Sequence, residues 1–256
     1  MHLTVVDSFT DRPFAGNPAA VAVLDAFPDE ARMQAIAREM HLSETAFCVP
    51  RADGAYDLRW FTPEVEVDLC GHATLATAHL LGGAARFHTA SGELVCTGAA
   101  QGWIEMDFPA DPPTAAPPAP TIRDALGGAE VRACGTGRQD AVIELSDAAA
   151  VRAVAPDLAS LAALGTRAVI VTAAGDRPGV DCVTRVFAPN VGIPEDPVTG
   201  SAHCLLAVFW GDRLGKDSLV GEQASARGGT VRMRRAGDRV IVGGQAVTVS
   251  EVRLLA

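Results

Sequence analysis

Two rhythms of apolar and polar residues alternate along this chain, and each change of rhythm marks an element. Leu3–Val6 and Ala19–Leu24 are short apolar runs joined by a turn-rich stretch, Thr10-Asp-Arg-Pro-Phe-Ala-Gly-Asn-Pro, the pattern of two buried strands. From Asp29 to Met40 the spacing becomes helical, with Met33, Ile36, Ala37 and Met40 on one face and acidic residues in the first turn. Thr45–Val49 is again a short strand, stopped by Pro50; Tyr56–Thr62 alternates, and Trp103–Phe108 is a further strand. The second half continues in this style, with strands predicted at Ala141–Leu145, Ala168–Thr172 and Cys182–Phe187. It closes on Val240–Val242 and Ala246–Val249, predicted to pair through a Gly243-Gly244 hairpin turn. Two segments follow neither rhythm. Ala73–Leu81 and Ala202–Trp210 are apolar almost all the way round, broken only by Thr and His. A helix without a polar face must be surrounded by protein, so the pattern predicts two sheets that each wrap a central helix.

The same text is written twice. Arg59, Phe61 and Pro63 fall on Arg185, Phe187 and Pro189 without a gap, at an offset of 187 − 61 = 126 residues. Val65 then falls on Val191, Val67 on Ile193, Ala76 on Ala202 and Leu80 on Leu206. An offset close to half of 256 residues predicts two related halves rather than a tandem array. The same ruler sets Cys70 opposite Asp196, an ionisable residue at one place in each half, which suggests a site built between halves. Between the halves, residues 109–120 read Pro-Ala-Asp-Pro-Pro-Thr-Ala-Ala-Pro-Pro-Ala-Pro, stiff, extended and poor at packing. We read this as the domain linker, with a first domain over 1–112 and a second over 113–247.

Composition narrows the class. Apolar residues near half of the chain can bury a full core, and the formal charge of −10 leaves no excess of Lys and Arg for nucleic acid or an anionic membrane. Arg232-Met-Arg-Arg is short and reads as a solvated edge. The six cysteines are scattered, with no Cys-x-x-Cys pair, which supports neither a zinc site nor a disulfide framework. No signal-like N-terminus and no run of about 18 apolar residues is present, so a soluble, reduced, cytoplasmic protein is expected.

The candidate chemistry sits at the two helix starts. Unpaired N–H groups and the helix dipole favour anions there, and Cys70-Gly71-His72 and Asp196-Pro-Val-Thr-Gly-Ser201 both occupy such a start. If the halves face each other, a small carboxylic acid would bind without arginines, and Cys70 would gain thiolate character. Thr199 and Ser201 would donate hydrogen bonds, while Gly71 and Gly200 would let backbone approach the ligand. Structural readings stay open beside these: Asp196 and Ser201 as N-caps, Cys70 as a small core residue, His79 and His203 as satisfied core histidines. Cys134-Gly-Thr-Gly137 looks like the catalytic-cysteine loop of two-base racemases, but strand-like sequence follows it, and we read it as a turn. A Cys70–His72 thiol dyad is disfavoured, because residues two apart at a helix start point to different faces.

Together with the opening, these loops resemble the phenazine-biosynthesis PhzF-like family, a branch of the diaminopimelate epimerase superfamily. The matching pieces are Val6-Asp-Ser-Phe-Thr, Phe14-Ala-Gly-Asn-Pro-Ala-Ala-Val, Leu42-Ser-Glu-Thr-Ala-Phe, Phe61-Thr-Pro with Val67-Asp-Leu-Cys-Gly-His-Ala-Thr-Leu-Ala, and Glu195-Asp-Pro-Val-Thr-Gly-Ser-Ala-His. They occur in family order from residue 5 to 203, whereas 110–180 carries little of the likeness. The resemblance implies an α+β fold of two pseudo-symmetric diaminopimelate-epimerase-like domains, each a rolled mixed sheet around a central apolar helix. It implies that a C-terminal strand, 248–256, returns to the first domain, that the active site lies between the domains, and that a homodimer is among the expected assemblies. It also implies an isomerase that moves a proton on a small carboxylic or amino acid, with no cofactor and no metal.

In that family a glutamate of the Ser-Glu-Thr motif shuttles the hydrogen, and it falls on Glu44; supporting residues fall on Gly71, His72, Asp196 and Ser201. Read from the residues, Glu44 enters an apolar strand either at a solvated turn or as a buried base whose pKa desolvation and Asp196 would raise. His72 would hydrogen-bond the substrate or hold a partner. The racemases of the superfamily set a cysteine in each half, whereas here Cys70 faces Asp196, which favours chemistry centred on Glu44. An epimerase-like use of Cys70 and Asp196, and an inactive small-acid binding or regulatory protein, are the alternatives. Specificity is expected in loops 10–18 and 190–198.

Overall fold

In a computed structural model, which describes residues 1–255, the chain forms two units, Met1–Asp107 with Gly243–Ala256 and Phe108–Val242. The first runs β1 (His2–Ser8), β2 (Asn17–Val23), α1 (Glu30–Met40), β3 (Glu44–Pro50), β4 (Tyr56–Phe61), β5 (Glu66–Val67), α2 (Gly71–Leu80), β6 (Ala85–Thr89), β7 (Gly92–Gly98) and β8 (Ile104–Pro109). The second runs β9 (Thr114–Ala116), α3 (Ile122–Ala125), β10 (Val131–Thr136), β11 (Asp140–Leu145), α4 (Ala148–Ala153), α5 (Leu158–Ala162), β12 (Ala168–Ala174), β13 (Cys182–Ala188), β14 (Ile193–Asp196), α6 (Gly200–Leu214), β15 (Ser218–Gln223) and β16 (Gly229–Ala236). β17 (Arg239–Gly244) and β18 (Ala246–Arg253) end the chain.

One succession of pairings is used in both units. In the first, β1 and β2 are antiparallel, β2 and β3 parallel, β3 and β4 antiparallel, β4 and β6 parallel, β6 and β7 antiparallel. In the second, β10 through β13, β15 and β16 repeat antiparallel, parallel, antiparallel, parallel, antiparallel. Parallel neighbours need a long crossover, and helices supply it each time: α1 and α2 in one unit, α4 with α5 and then α6 in the other. The sequence repeat is therefore a repeat of strand pairing. β18 pairs antiparallel with β1 from His2↔Arg253 to Ser8↔Ala246, so the end of the chain belongs to the first unit's sheet.

The two apolar helices are enclosed, as their composition requires. α2 packs on β1, β2, β3 and β18, and His72 through Ala78 are all buried. α6 packs on β15 and β16 and continues one turn beyond Trp210, to Leu214. The indole Nε1 of Trp210 donates to Thr172 Oγ1 at 3.0 Å, tying α6 to β12 by a buried polar contact. Threonines are tolerated in α2 because Thr74 and Thr77 donate their hydroxyls to the carbonyls of Cys70 and Ala73, at 2.6 and 2.7 Å. α1 is a one-faced helix: Asp29 caps it by accepting from Arg32 N, and Met33, Ile36 and Ala37 go inside.

Four expectations are corrected. Gly243 and Gly244 lie within β17 instead of forming a hairpin turn. A Cβ on Gly244 would run into the Phe9 ring and lie 2.8 Å from Leu75 Cδ1, so the glycine serves close packing. The proline-rich stretch is not a bare linker, because Thr114–Ala116 within it pairs with β10 as an edge strand, where Pro neighbours are allowed. Cys134, Gly135 and Thr136 are in β10, and the turn comes after them, where Gly137 N donates to the Asp140 carbonyl. His79 is half-buried rather than core, with its Nε2 3.2 Å from Thr248 Oγ1 of β18. The basic run behaves as expected: Arg232 and Arg234 alternate outward from β16 while Val231 and Met233 point in.

Among the described residues no helix is long and apolar enough to cross a membrane.

Candidate active site

Glu44 is the first residue of β3, set directly after a tight exit from α1 in which His41 adopts a left-handed backbone, φ 50°. In register with Ala19 of the neighbouring parallel strand, it is part of the sheet and not of a solvated turn, and only 9% of it is exposed. A carboxyl group so placed loses most of its hydration and depends on what protein groups lie near it. One of these is His72, whose Nε2 is 3.2 Å from Glu44 Oε2. The separation is that of an ion pair, but the angle leaves His72 Nε2 without an aligned hydrogen-bond partner.

His72 is the second residue of α2, and the local chain holds it firmly. Ser8 Oγ donates to its carbonyl at 2.7 Å. Burial pushes the imidazole down to about 3, a backbone contact from Pro18 offsetting part of the shift, so the ring is neutral at neutral pH. A neutral imidazole carries one ring proton, so one nitrogen can donate a hydrogen bond and the other accept one, while burial disfavours a second proton on the ring.

Cys70 is the N-cap of α2, with extended backbone (φ −142°, ψ 109°) and no side-chain cap hydrogen bond. That conformation overturns the argument against a Cys70–His72 contact. The rule that residues two apart diverge holds inside a helix, whereas the cap residue is outside it and its side chain swings back. Cys70 Sγ lies 3.5 Å from His72 Nδ1, and both residues are buried. Glu44, Cys70 and His72 each offer a metal-ligating atom within 4.8 Å of the others, a grouping the scattered cysteine spacing does not reveal.

In the second unit the N-cap of α6 is Thr199, so neither Asp196 nor Ser201 is the cap. Asp196 ends β14, and Thr199 Oγ1 donates to its Oδ2 at 2.5 Å. Gln223, wholly buried at the end of β15, braces this loop from beneath. Its Nε2 donates to the Asp196 carbonyl at 2.7 Å, and its Oε1 accepts from Thr199 N at 2.9 Å. His203 is a core histidine but only half satisfied: Nδ1 is 2.8 Å from the Thr199 carbonyl, Nε2 is buried without a hydrogen bond, and burial lowers the pKa to about 4.

Ser201 has a partner that sequence reasoning missed. Arg167 makes a two-pronged pair with Asp140, at 2.8 and 2.5 Å, and its remaining reach goes to Ser201 Oγ at 3.1 Å. Burial works against the Arg167 charge, but Asp140, joined by the charges of Asp196 and Asp111, more than restores it and leaves its pKa raised. Asp140 starts β11 and Arg167 immediately precedes β12, where the parallel register sets Asp140 opposite Ala168. Only that register makes them neighbours, and no local pattern announces it. Gln223 was equally invisible, being one polar residue at a strand end. Gly71 and Gly200 open α2 and α6, two residues earlier than the apolar pattern indicates.

Fold and side chains together define a class: a sheet-dominated α+β protein with a buried carboxyl–imidazole–thiol group at one helix start and a braced carboxylate–hydroxyl loop at another. The family described as phenazine biosynthesis-like protein matches residues 6–252, and the chain belongs to it. It is similar to a Pseudomonas aeruginosa protein described as an uncharacterized isomerase, 50% identical over 255 residues and covering 96% of each chain. It is also similar to a phenazine biosynthesis protein of the PhzF family from Enterococcus faecalis, whose crystal structure superposes with a TM-score of 0.93 at 43% identity, covering 98% of this chain and 97% of that one. A hydroxyproline epimerase from Agrobacterium vitis shares the fold alone, with a TM-score of 0.64 at 10% identity over 98% of this chain and 91% of that one.

Proposed function

We propose that this protein is an isomerase that moves a proton on a small carboxylic or amino acid, without a cofactor, with Glu44 as the acid–base group. The observation that carries the reading is a carboxyl group buried in a sheet, 3.2 Å from an imidazole that burial keeps neutral. Ionised Glu44 takes a proton from carbon next to the substrate's carboxylate, the electron pair shifting into the conjugated acid. The resulting carboxylic acid returns the proton to a different carbon. His72, neutral and 3.2 Å away, is within reach of a hydrogen bond to Glu44 after a small turn of either side chain, and removal of water by burial makes both transfers easier than in solution. Cys70, Gly71, Thr199, Gly200 and Ser201 are assigned to substrate binding, with Asp196 as a second catalytic carboxylate.

The 3.5 Å contact between Cys70 Sγ and His72 Nδ1 favours one second reading, an epimerase-like enzyme in which the thiol does the proton transfer.

The test is exchange in heavy water over a panel of small amino and hydroxy acids, cyclic and aromatic-derived ones included, read by proton NMR. We expect one acid class to be isomerised by the wild type, with incomplete deuterium incorporation because a shielded carboxyl returns part of the substrate's own hydrogen. Glu44→Gln keeps the size and cannot accept a proton, so turnover should fall by at least about 10²–10⁴-fold with the fold intact. Turnover by Glu44→Gln at the wild-type rate would remove the assignment. Turnover lost instead in Cys70→Ser would move it to the second reading.

A further inference from the structure

Glu44, Cys70 and His72 are 9%, 6% and 6% exposed, and each offers a donor atom, all within 4.8 Å of one another. Carboxylate, thiolate and imidazole are the three ligand types that zinc accepts, at about 2.0–2.3 Å, and tetrahedral bonds of that length put neighbouring ligand atoms roughly 3.5 Å apart. One separation is already of this size, Cys70 Sγ to His72 Nδ1 at 3.5 Å, while Glu44 Oε2 lies 3.2 Å from the other ring nitrogen, Nε2. One ion takes one ring nitrogen, and the glutamate, with its longer side chain, closes the remaining gap. The backbone is pinned on both sides, by Ser8 at the His72 carbonyl and by Thr74 at the Cys70 carbonyl, so little ordering is left to do on binding. The other buried thiols offer no such donor set, and burial pushes those of Cys48, Cys96 and Cys204 up to about 12.

We propose that Glu44, Cys70 and His72 bind one zinc-class divalent cation through three protein ligands, leaving a fourth position open, and that the ion acts as an inhibitor by occupying the Glu44 oxygen. The cation site stands on the donor set; the inhibition rests on Glu44 being the acid–base group. On binding, the Cys70 S–H bond breaks, its proton leaves to solvent, and the sulfur electron pair goes to the metal with no change of oxidation state.

Equilibrium dialysis of the whole protein against zinc chloride alone tests the site. We expect one ion per chain, bound about tenfold more tightly for each unit of rising pH near neutrality, since one proton is released. Cobalt(II) in its place should show a thiolate-to-metal charge-transfer absorption. Loss of an outer-shell group costs 10–100-fold in metal affinity, so loss of a ligand in Cys70→Ser or His72→Gln should cost more than about 100-fold. Because either variant can lose its fold, the cobalt spectrum of the wild type decides independently. No stoichiometric binding by the wild type, a cobalt complex without the thiolate band, or unchanged affinity in both folded variants overturns the proposal. Zinc binding together with a fully active Glu44→Gln would keep the site and discard the inhibition. No zinc binding together with an inactive Glu44→Gln would discard the site and leave the isomerase reading standing.

Discussion

At the scale of single residues, placement matters more than identity. Six cysteines share one side chain, yet Cys70 alone stands at the cap of a buried helix against an imidazole, and Cys182 and Cys204 are inert core. If Glu44 carries the proton, Cys70→Ser keeps a donor at the helix start, and turnover in the exchange assay should stay within about tenfold of wild type, well short of the 10²–10⁴-fold contribution of an acid–base group. A loss of several orders of magnitude would make the thiol the base. Gly244 is a second residue defined by its surroundings. Gly244→Ala inserts a methyl group against Phe9 and Leu75, and overpacking of that kind should cost about 1–3 kcal/mol, read as a lower urea midpoint at unchanged slope.

At the scale of elements, the repeated Arg-x-Phe builds one device twice. Arg59 pairs with Glu66 through both prongs at 2.6 Å and lies over the Phe61 ring at 5.3 Å. Arg185 pairs with Glu195 at 2.7 and 3.0 Å and lies over Phe187 at 5.0 Å. Each clamp fastens the return from a long strand to the short one that precedes the buried helix. The arginine and phenylalanine were legible on the 126-residue ruler; the glutamates were not, because Glu195 sits three places off it and only the folded loop brings it back. Arg185 does more than Arg59. It is 13% exposed against 30%, and it also donates to the Val154 carbonyl at 2.7 Å, at the end of α4. Arg185→Met should therefore cost about 2–3 kcal/mol, leaving buried acceptors unmet, while Arg59→Met should cost about 1 kcal/mol. Equal urea midpoints for the two variants would show that the carbonyl contact contributes nothing.

At the scale of the whole molecule, acid should weaken the fold through histidines. His72 and His203 bind a proton near 6.5 when unfolded but only at about 3 and about 4 when folded, because burial disfavours the charged ring. The unfolded chain thus holds more protons below neutrality. Stability is complete above about pH 6.5 and falls as the pH drops, by up to ~1.4 kcal/mol per unit for each histidine, until the folded values are reached. Urea midpoints between about pH 7 and about pH 5 should show this slope, and His203→Gln should flatten it. Chain connectivity gives another whole-molecule prediction. Ending the chain at Val242 removes β18 and leaves one edge of β1 unpaired, so the shortened protein should lose cooperative thermal unfolding or melt at least about 10 °C lower. The sequence by itself determined the strand and helix rhythm, the duplication, and the two helices that had to be enclosed, because each is written in local spacing and apolar composition. It also named Glu44, Cys70 and His72, and Asp196, Thr199 and Ser201, through short motifs. Only the tertiary structure decided what those residues touch: the thiol against the imidazole, Arg167 on Ser201, Gln223 under the Asp196 loop, β18 beside β1. Such contacts depend on strand register and on cap geometry, which join residues far apart in the chain and leave no trace in its local pattern.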